Sequence, residues 1–272
     1  MELKMPAEAS HRGLEEALNI SGPCQACRSG VVPAAFTMAF QPIVDLLEHR
    51  IDAYEALVRG PLGEGAASVL SQQSDATLYA FDQACRVRAI ELAARLRIDR
   101  QLNINFLPNA VYEPRACIRA TLDAAARTGF DPRRLTFEIV ETETIASTDH
   151  LLRIIAEYRR QGFKIALDDF GTGYSGLMRL ADLRPDIVKL DRGVIAKCDR
   201  DDMRLAIVRS MVALANDTGT KLVFEGVETA DEVGALLSAG ARYMQGYYFA
   251  RPAFEAIVVD ADIFAGCAMR AA

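Results

Sequence analysis

Several short apolar runs of this sequence contain, or end on, a polar side chain that could do chemistry. Glu55 lies inside Tyr54-Glu55-Ala56-Leu57. Asn105 falls at the end of the run Leu102 to Phe106, and Glu138 and Glu141 at the end of Leu135 to Val140. Asp168 and Asp169 follow Lys164 to Leu167, Lys189 and Asp191 end Asp186 to Leu190, Glu225 follows Lys221 to Phe224, and Gln245 lies within Tyr243 to Phe249. One acid at one strand end usually caps a helix or faces water. Repetition over successive strands instead implies convergence on one cleft. Carboxylates gathered in a cleft repel one another unless cations neutralise them. Carboxylate and amide oxygens, with no Cys or His among them, suit hard divalent ions. The set therefore predicts a Mg2+ or Mn2+ site, for two ions, with the adjacent pair Asp168-Asp169 placed to bridge them. Such a site suits phosphoester hydrolysis, because the ions bind phosphate oxygens and make hydroxide available near neutral pH. Lys189 inside the cluster could hold a water, a phosphate oxygen or one of the acids. An ion pair with Asp191 or Glu225 is an equal reading from spacing alone.

The surrounding pattern supplies the elements that position these residues. Met38 to Val44 and Ile51 to Val58 read as two strands joined by the short turn Leu46 to Arg50, a hairpin. A glycine-rich loop, Gly60 to Gly65, follows. Leu78, Phe81, Cys85, Ala89, Leu92 and Leu96 recur at steps of three or four and predict a long helix, with Asp75 as its candidate cap. Strands and helices then alternate. Helices near Arg115 to Arg127, Asp149 to Arg160, Met203 to Ala215 and Ala230 to Leu237 separate the apolar runs, and Gly129, Gly162 and Gly240 end three of them. Alternation implies a mostly parallel sheet covered by helices. About eight strands in this length fit a closed barrel, whose active site forms where the C-terminal strand ends meet. The expected fold is α/β, a modified TIM (β/α)8 barrel over residues 36–272, with residues 1–35 an irregular arm.

Composition sets the limits. The chain has 272 residues, is 51% hydrophobic, and carries 31 Lys+Arg against 37 Asp+Glu, a formal net charge of -6. An acidic surface argues against DNA as a partner, since that binding rests on Lys and Arg displacing counterions. No stretch has the length and apolarity of a membrane span. The acidic, interrupted N-terminus does not read as a signal peptide, so a cytoplasmic location is expected. Six scattered cysteines do not form a disulfide framework. Cys24-Gln25-Ala26-Cys27 is a C-x-x-C without the second ligand pair that a zinc knuckle needs, and it lacks a thioredoxin-like context. It reads as an incidental part of the arm, with a metal or redox function, serving regulation or a dimer contact and not chemistry, as the alternative.

Gly171-Thr172-Gly173-Tyr174-Ser175-Gly176 matches G-x-G-x-x-G after a strand, with Asp191 about twenty residues on. Taken literally that is a dinucleotide fingerprint. Asp168 and Asp169 immediately before it would repel a pyrophosphate. A loop closing over a metal site explains the glycines better.

Taken together, Gln41-Pro42-Ile43, Glu55-Ala56-Leu57-Val58-Arg59, Asn103 to Pro108, Phe137 to Glu141, Asp168 to Gly176, Lys189-Leu190-Asp191, Glu225-Gly226-Val227-Glu228 and Gln245-Gly246-Tyr247 closely resemble the EAL phosphodiesterase family. They run in the family's order over about residues 36 to 255. The resemblance implies a barrel with one antiparallel strand, and hydrolysis of cyclic di-GMP to linear pGpG by water activated between two metal ions. It implies that Glu55, Asn105, Glu138, Asp168 and Asp169 hold Mg2+ or Mn2+. Glu225 would be the general base, Lys189 would position the attacking water, and Asp191 would support that end. Glu141 would anchor the loop Asp169 to Ser175. Gln41, Arg59 and Gln245 would contact phosphate or guanine, and a homodimer is expected. The chain departs from the family at Phe106-Leu107, Val140 and Ser175-Gly176, none of them a proposed ligand. The wording from Tyr54 to Gly60 is similar to the EAL part of blue-light-sensing BLUF relatives. Some of those act by binding a regulatory protein partner, so a cyclic di-GMP receptor or antirepressor is the alternative.

Overall fold

The computed structural model describes residues 35–264, apart from 112, 142–144, 146 and 174–175. The segment expected to form an arm, with Cys24 and Cys27, lies almost wholly outside the described residues. Among the described residues, nine strands alternate with helices. β1 (Thr37–Asp45) and β2 (Arg50–Arg59) form the expected hairpin, and α1 (Ala66–Leu70) and α2 (Asp75–Arg95) lead to β3 (Gln101–Asn105). α3 (Pro114–Cys117) and α4 (Arg119–Thr128) precede β4 (Leu135–Val140), α5 (Thr148–Arg160) precedes β5 (Lys164–Phe170), and α6 (Gly176–Leu183) precedes β6 (Ile187–Leu190). α7 (Arg192–Ile195), α8 (Asp202–Thr218), β7 (Lys221–Phe224), α9 (Ala230–Ser238), β8 (Tyr243–Met244) and β9 (Ala253–Phe254) follow.

β2 to β8 are parallel neighbours in sequence order, and β1 closes the barrel by pairing antiparallel with both β2 and β8. β9 adds to β1 at Ala39 and Phe40, outside the eight-stranded ring. The closed ring abolishes sheet edges, and β1 is buried along its whole length. The main core fills the space between strands and helices, with Phe40, Phe137, Tyr158, Leu102 and Phe224 fully buried in it.

A second, smaller core lies inside the barrel: Ile43, Ala53, Ala166, Ile187 and Val223. It decides where the chemistry sits. Side chains alternate along a strand with period two, so residues two positions on share a face. Two steps toward the C-terminal end from Ala53, Ala166, Ile187 and Val223 come Glu55, Asp168, Lys189 and Glu225. On the antiparallel β1, two steps back from Ile43 comes Gln41, directly paired with Glu55. An apolar layer thus plugs the barrel, and a polar layer lies immediately above it at the mouth.

Several local expectations need correction. Ser74, not Asp75, caps α2, and its N–H donates to Thr77 Oγ1 at 2.9 Å. The helix read as Arg115 to Arg127 is two, joined at Ile118. The last run forms only the two-residue β8, so Gln245 sits just past the strand, its N–H still bonded to the Phe224 carbonyl at 2.8 Å. α6 was not expected, because eight residues after a glycine loop give too short a periodic signal. Cys117 is buried and Cys85 half-buried. No described helix is long and apolar enough to cross a membrane.

Candidate active site

The polar layer is organised around Lys189. Its Nζ lies 2.7 Å from Glu225 Oε1, 2.9 Å from Glu138 Oε1, 3.0 Å from Asp168 Oδ1 and 3.2 Å from Glu55 Oε2. Lys189 is 1% exposed, so one ammonium shares four carboxylates out of reach of bulk water. The spacing-based choice between Asp191 and Glu225 resolves to Glu225, joined by three acids from other strands. Asp191 instead accepts the Gly193 N–H at 2.6 Å and caps α7.

Two acids from consecutive positions reach this site because the chain bends there. The β5–β6 register slips between Leu167 and Phe170, and Asp169 takes a φ of 52°. That left-handed conformation is unfavourable by about 1 kcal/mol for a residue with a Cβ. It stops Asp168 and Asp169 from alternating between faces. As a result Asp168 belongs to two groups whose ligand atoms lie within 4.8 Å of one another: Glu55–Glu138–Asp168 and Asp168–Asp169–Glu225.

Electrostatics follow from this crowding. Burial, only partly offset by Lys189 and reinforced by the neighbouring acids, lifts Glu138 and Glu225 well above the usual carboxylate range. Burial, then the charges of Asp168 and Asp191, push Asp169 up to about 6. For Lys189 burial acts downward, but the four acids outweigh it and hold the ammonium charged. Four carboxylates around one ammonium leave the pocket short of positive charge. Glu138 Oε2 is buried with no hydrogen-bond partner among the described residues, and so is Gln245 Oε1. These orphaned acceptors and the oxygen-only donor set fit hard divalent cations.

The remaining expected residues divide. Asn105 Nδ2 donates to Glu55 Oε1 at 3.1 Å, on the rim of the cluster. Gln245 Nε2 donates to Glu55 Oε2 at 2.8 Å and to Gln41 Oε1 at 3.3 Å, and Gln41 donates to the Ala250 carbonyl at 3.1 Å. Gly246 lets this segment approach: an added Cβ would lie 2.0 Å from the Val227 carbonyl oxygen. Arg59 is not drawn into the cluster; its Nη1 donates to the Val58 carbonyl at 2.7 Å. Glu141 accepts the Gly171 N–H at 2.7 Å, and a Cβ on Gly173 or Gly176 would strike its Oε1. The glycine loop thus wraps a carboxylate of this chain, where a dinucleotide fingerprint would offer its amides to a pyrophosphate.

The structure adds Asn103 to the site, a residue that the strand-end pattern does not single out. It is 1% exposed and donates to Glu138 Oε1 at 2.7 Å. The signal was available, since an asparagine in the middle of an apolar strand must find a partner. Thr136 shares the same inward face two residues before Glu138 and is fully buried.

The fold and site define a β/α barrel with an acidic, cation-seeking mouth. The sequence matches the EAL domain family over residues 25–252. A stand-alone EAL protein from Vibrio cholerae O395, solved with c-di-GMP bound, superposes with a TM-score of 0.81 at 46% identity, covering 84% of this chain and 97% of that one. BlrP1 of Klebsiella pneumoniae, solved as a manganese and cyclic di-GMP complex at pH 9.0, gives 0.78 at 33% identity, covering 83% of this chain and 58% of that one. The blue light- and temperature-regulated antirepressor BluF of Escherichia coli is 29% identical over 80% of this chain and 55% of its own length. This chain spans little more than half of that relative. The chain belongs to the EAL domain family.

Proposed function

We propose that this chain hydrolyses cyclic di-GMP to linear pGpG at the barrel mouth, with two Mg2+ or Mn2+ ions held by Glu55, Asn105, Glu138, Asp168 and Asp169. The observation that carries this reading is Asp168 shared between two acid triads around one lysine. The solved relatives with cyclic di-GMP, one of them with manganese, support it. Bound there, the ions would supply countercharge for the phosphodiester and lower the pKa of a water.

Glu225 accepts the proton of the attacking water, its carboxylate being the acid closest to the Lys189 ammonium. Lys189, 2.7 Å away, orients that carboxylate and donates to the water. The water oxygen bonds to phosphorus as the bond to the ribose 3′ oxygen breaks. The 3′ oxygen takes a proton from solvent, leaving pGpG. Asp191 supports this end by fixing α7 just beyond Lys189. Gln41, Gln245 and Arg59 meet guanine or phosphate, where an arginine fork pairs well with phosphate oxygens. Glu141 holds the glycine loop next to Asp169. Exposed Leu177 and Met178 on α6, adjoining that loop, serve a homodimer contact. A cytoplasmic location goes with this reading, since the proposed substrate is an intracellular nucleotide.

The test is turnover of cyclic di-GMP by the purified chain with Mg2+, with Mn2+ and with chelator, beside Glu55→Ala. Metal-dependent production of pGpG, lost in the variant, is expected. Nucleotide binding without turnover under either metal would favour a second reading, a receptor or antirepressor acting on a protein partner. The name of the E. coli relative supports that alternative. No binding at all would remove cyclic di-GMP as the ligand.

A further inference from the structure

Behind β3 and β4, on the helix side of the sheet, lies an ion pair that the reaction above does not use. Arg86 and Asp82, one turn apart on α2, are 0% and 4% exposed. Arg86 Nη2 pairs with Asp82 Oδ2, and its Nη1 donates to the Tyr158 hydroxyl at 2.8 Å. Its guanidinium carbon lies 5.4 Å from the Phe106 ring centre and 5.5 Å from that of Phe137. The second oxygen of Asp82 is directed elsewhere: Oδ1 accepts the backbone N–H of Leu107 at 2.9 Å.

The positions of these partners along the chain carry the argument. Phe106 directly follows Asn105, and Phe137 directly precedes Glu138. Strand alternation puts the two rings against the helices and the two polar side chains toward the barrel. The β3–β4 register sets Asn105 beside Glu138. After Asn105 the ladder gives out: the Phe106 N–H still bonds the Glu138 carbonyl at 3.2 Å, and the next N–H, of Leu107, goes to Asp82. A buried ion pair is weak evidence for stability, because apolar residues of similar volume often replace one without loss. Such a replacement here would remove the acceptor that fixes the exit of the chain from β3.

We propose that Asp82 is a positioning residue for the cation site: by holding the Leu107 amide it sets the backbone after Asn105 and so the aim of Asn105 beside Glu55. This rests on the reading of Asn105 as a cation ligand.

The experiment titrates Mn2+ alone into the full chain by calorimetry, alongside thermal unfolding without metal. Asp82→Leu with Arg86→Met leaves no unpaired buried charge and no acceptor for Leu107. It leaves the Leu107 N–H and the Tyr158 hydroxyl without these partners, so it is expected to stay folded with an unfolding temperature several degrees below the parent's, and to bind Mn2+ about tenfold more weakly, the range for loss of a group that orients a ligand. Asp82→Asn with Arg86→Gln keeps an amide oxygen for Leu107 and is expected to bind as the parent does. If the apolar pair does not fold, Asp82→Glu keeps the charge pair while displacing the acceptor, and the same weakening is expected. In an Asn105→Ala background the Asp82 substitutions should have no further effect. Parental Mn2+ affinity in a folded variant that lacks the acceptor would overturn the proposal, and so would full additivity with Asn105→Ala. If Asn105→Ala by itself leaves Mn2+ affinity unchanged, the ligand reading of Asn105 fails and the proposal goes with it.

Discussion

Lys189→Met tests whether the lysine is the countercharge of this site. The substitution keeps length and removes the ammonium that touches Glu55, Glu138, Asp168 and Glu225 at 2.7 to 3.2 Å. A single pair of unit charges at 4 Å and an effective dielectric of 20 is worth about 4 kcal/mol. Removing one partner of a buried ionic group typically destabilises by about 3–5 kcal/mol. Protonation of the stranded acids relieves part of that, so the lower figure is the better guide. At roughly 2–4 °C per kcal/mol, the metal-free variant should unfold about 10 °C below the parent. The sign reverses when metal is added. Lys189 competes with cations for the same oxygens, so the variant should bind Mn2+ more tightly and gain a larger rise in Tm at equal Mn2+, since a ligand stabilises by RT ln(1 + [L]/Kd). Turnover should still be lost. The assay is thermal unfolding at several Mn2+ concentrations. A metal-free Tm equal to the parent's, with the same Mn2+ response, would refute the countercharge argument.

Three further outcomes are expected. Gly246→Ala should destabilise the fold strongly, because its Cβ would meet the backbone of Val227 at 2.0 to 2.7 Å; a Tm within a degree or two of the parent's would contradict this close approach. Gly173→Ala should leave the fold largely intact but lower turnover by displacing the Glu141 carboxylate, whose Oε1 would lie 2.6 Å from the new Cβ; unchanged kcat would count against the role of Glu141 in holding the loop. On α5, hydrogen bonds from Arg160, outweighing burial, hold Glu157 down at about 2. A depressed acid stabilises above its unfolded pKa, near 4.5, and that contribution fades as pH falls toward 2. Glu157→Gln should therefore flatten the acid limb of the stability curve between those values, and denaturation series at pH 5 and pH 3 would measure it.

Much of the barrel could be read from residue order. Apolar runs ending in polar residues, spaced by amphipathic helices, are local patterns, and they placed β2 to β7 and the acids at their ends. The hairpin of β1 and β2 was equally local. Short elements were less legible: α6 falls below the length at which periodicity separates from chance, the last apolar run reads as a strand over Tyr243 to Phe249 although only Tyr243–Met244 pair, and the split at Ile118 leaves the helical pattern almost unbroken. The choice of Ser74 over Asp75 as cap turns on a single residue of phase.

The sequence by itself therefore determined the kind of donor available: oxygen ligands, one lysine, and no histidine or cysteine near the strand ends. Only the tertiary structure decided which of them meet. Lys189 could not select among Glu55, Glu138, Asp168 and Glu225 until four strands closed around it, because ring closure makes neighbours of residues more than a hundred positions apart. The left-handed turn at Asp169, which brings two consecutive acids to one site, depends on a register slip against β6 that no local pattern encodes. The Asp82–Leu107 contact is likewise invisible in sequence, since it joins a helix to a strand exit across a buried layer. Spacing along a chain constrains local geometry, whereas the field at a site is set by whichever charges the fold brings within a few ångströms.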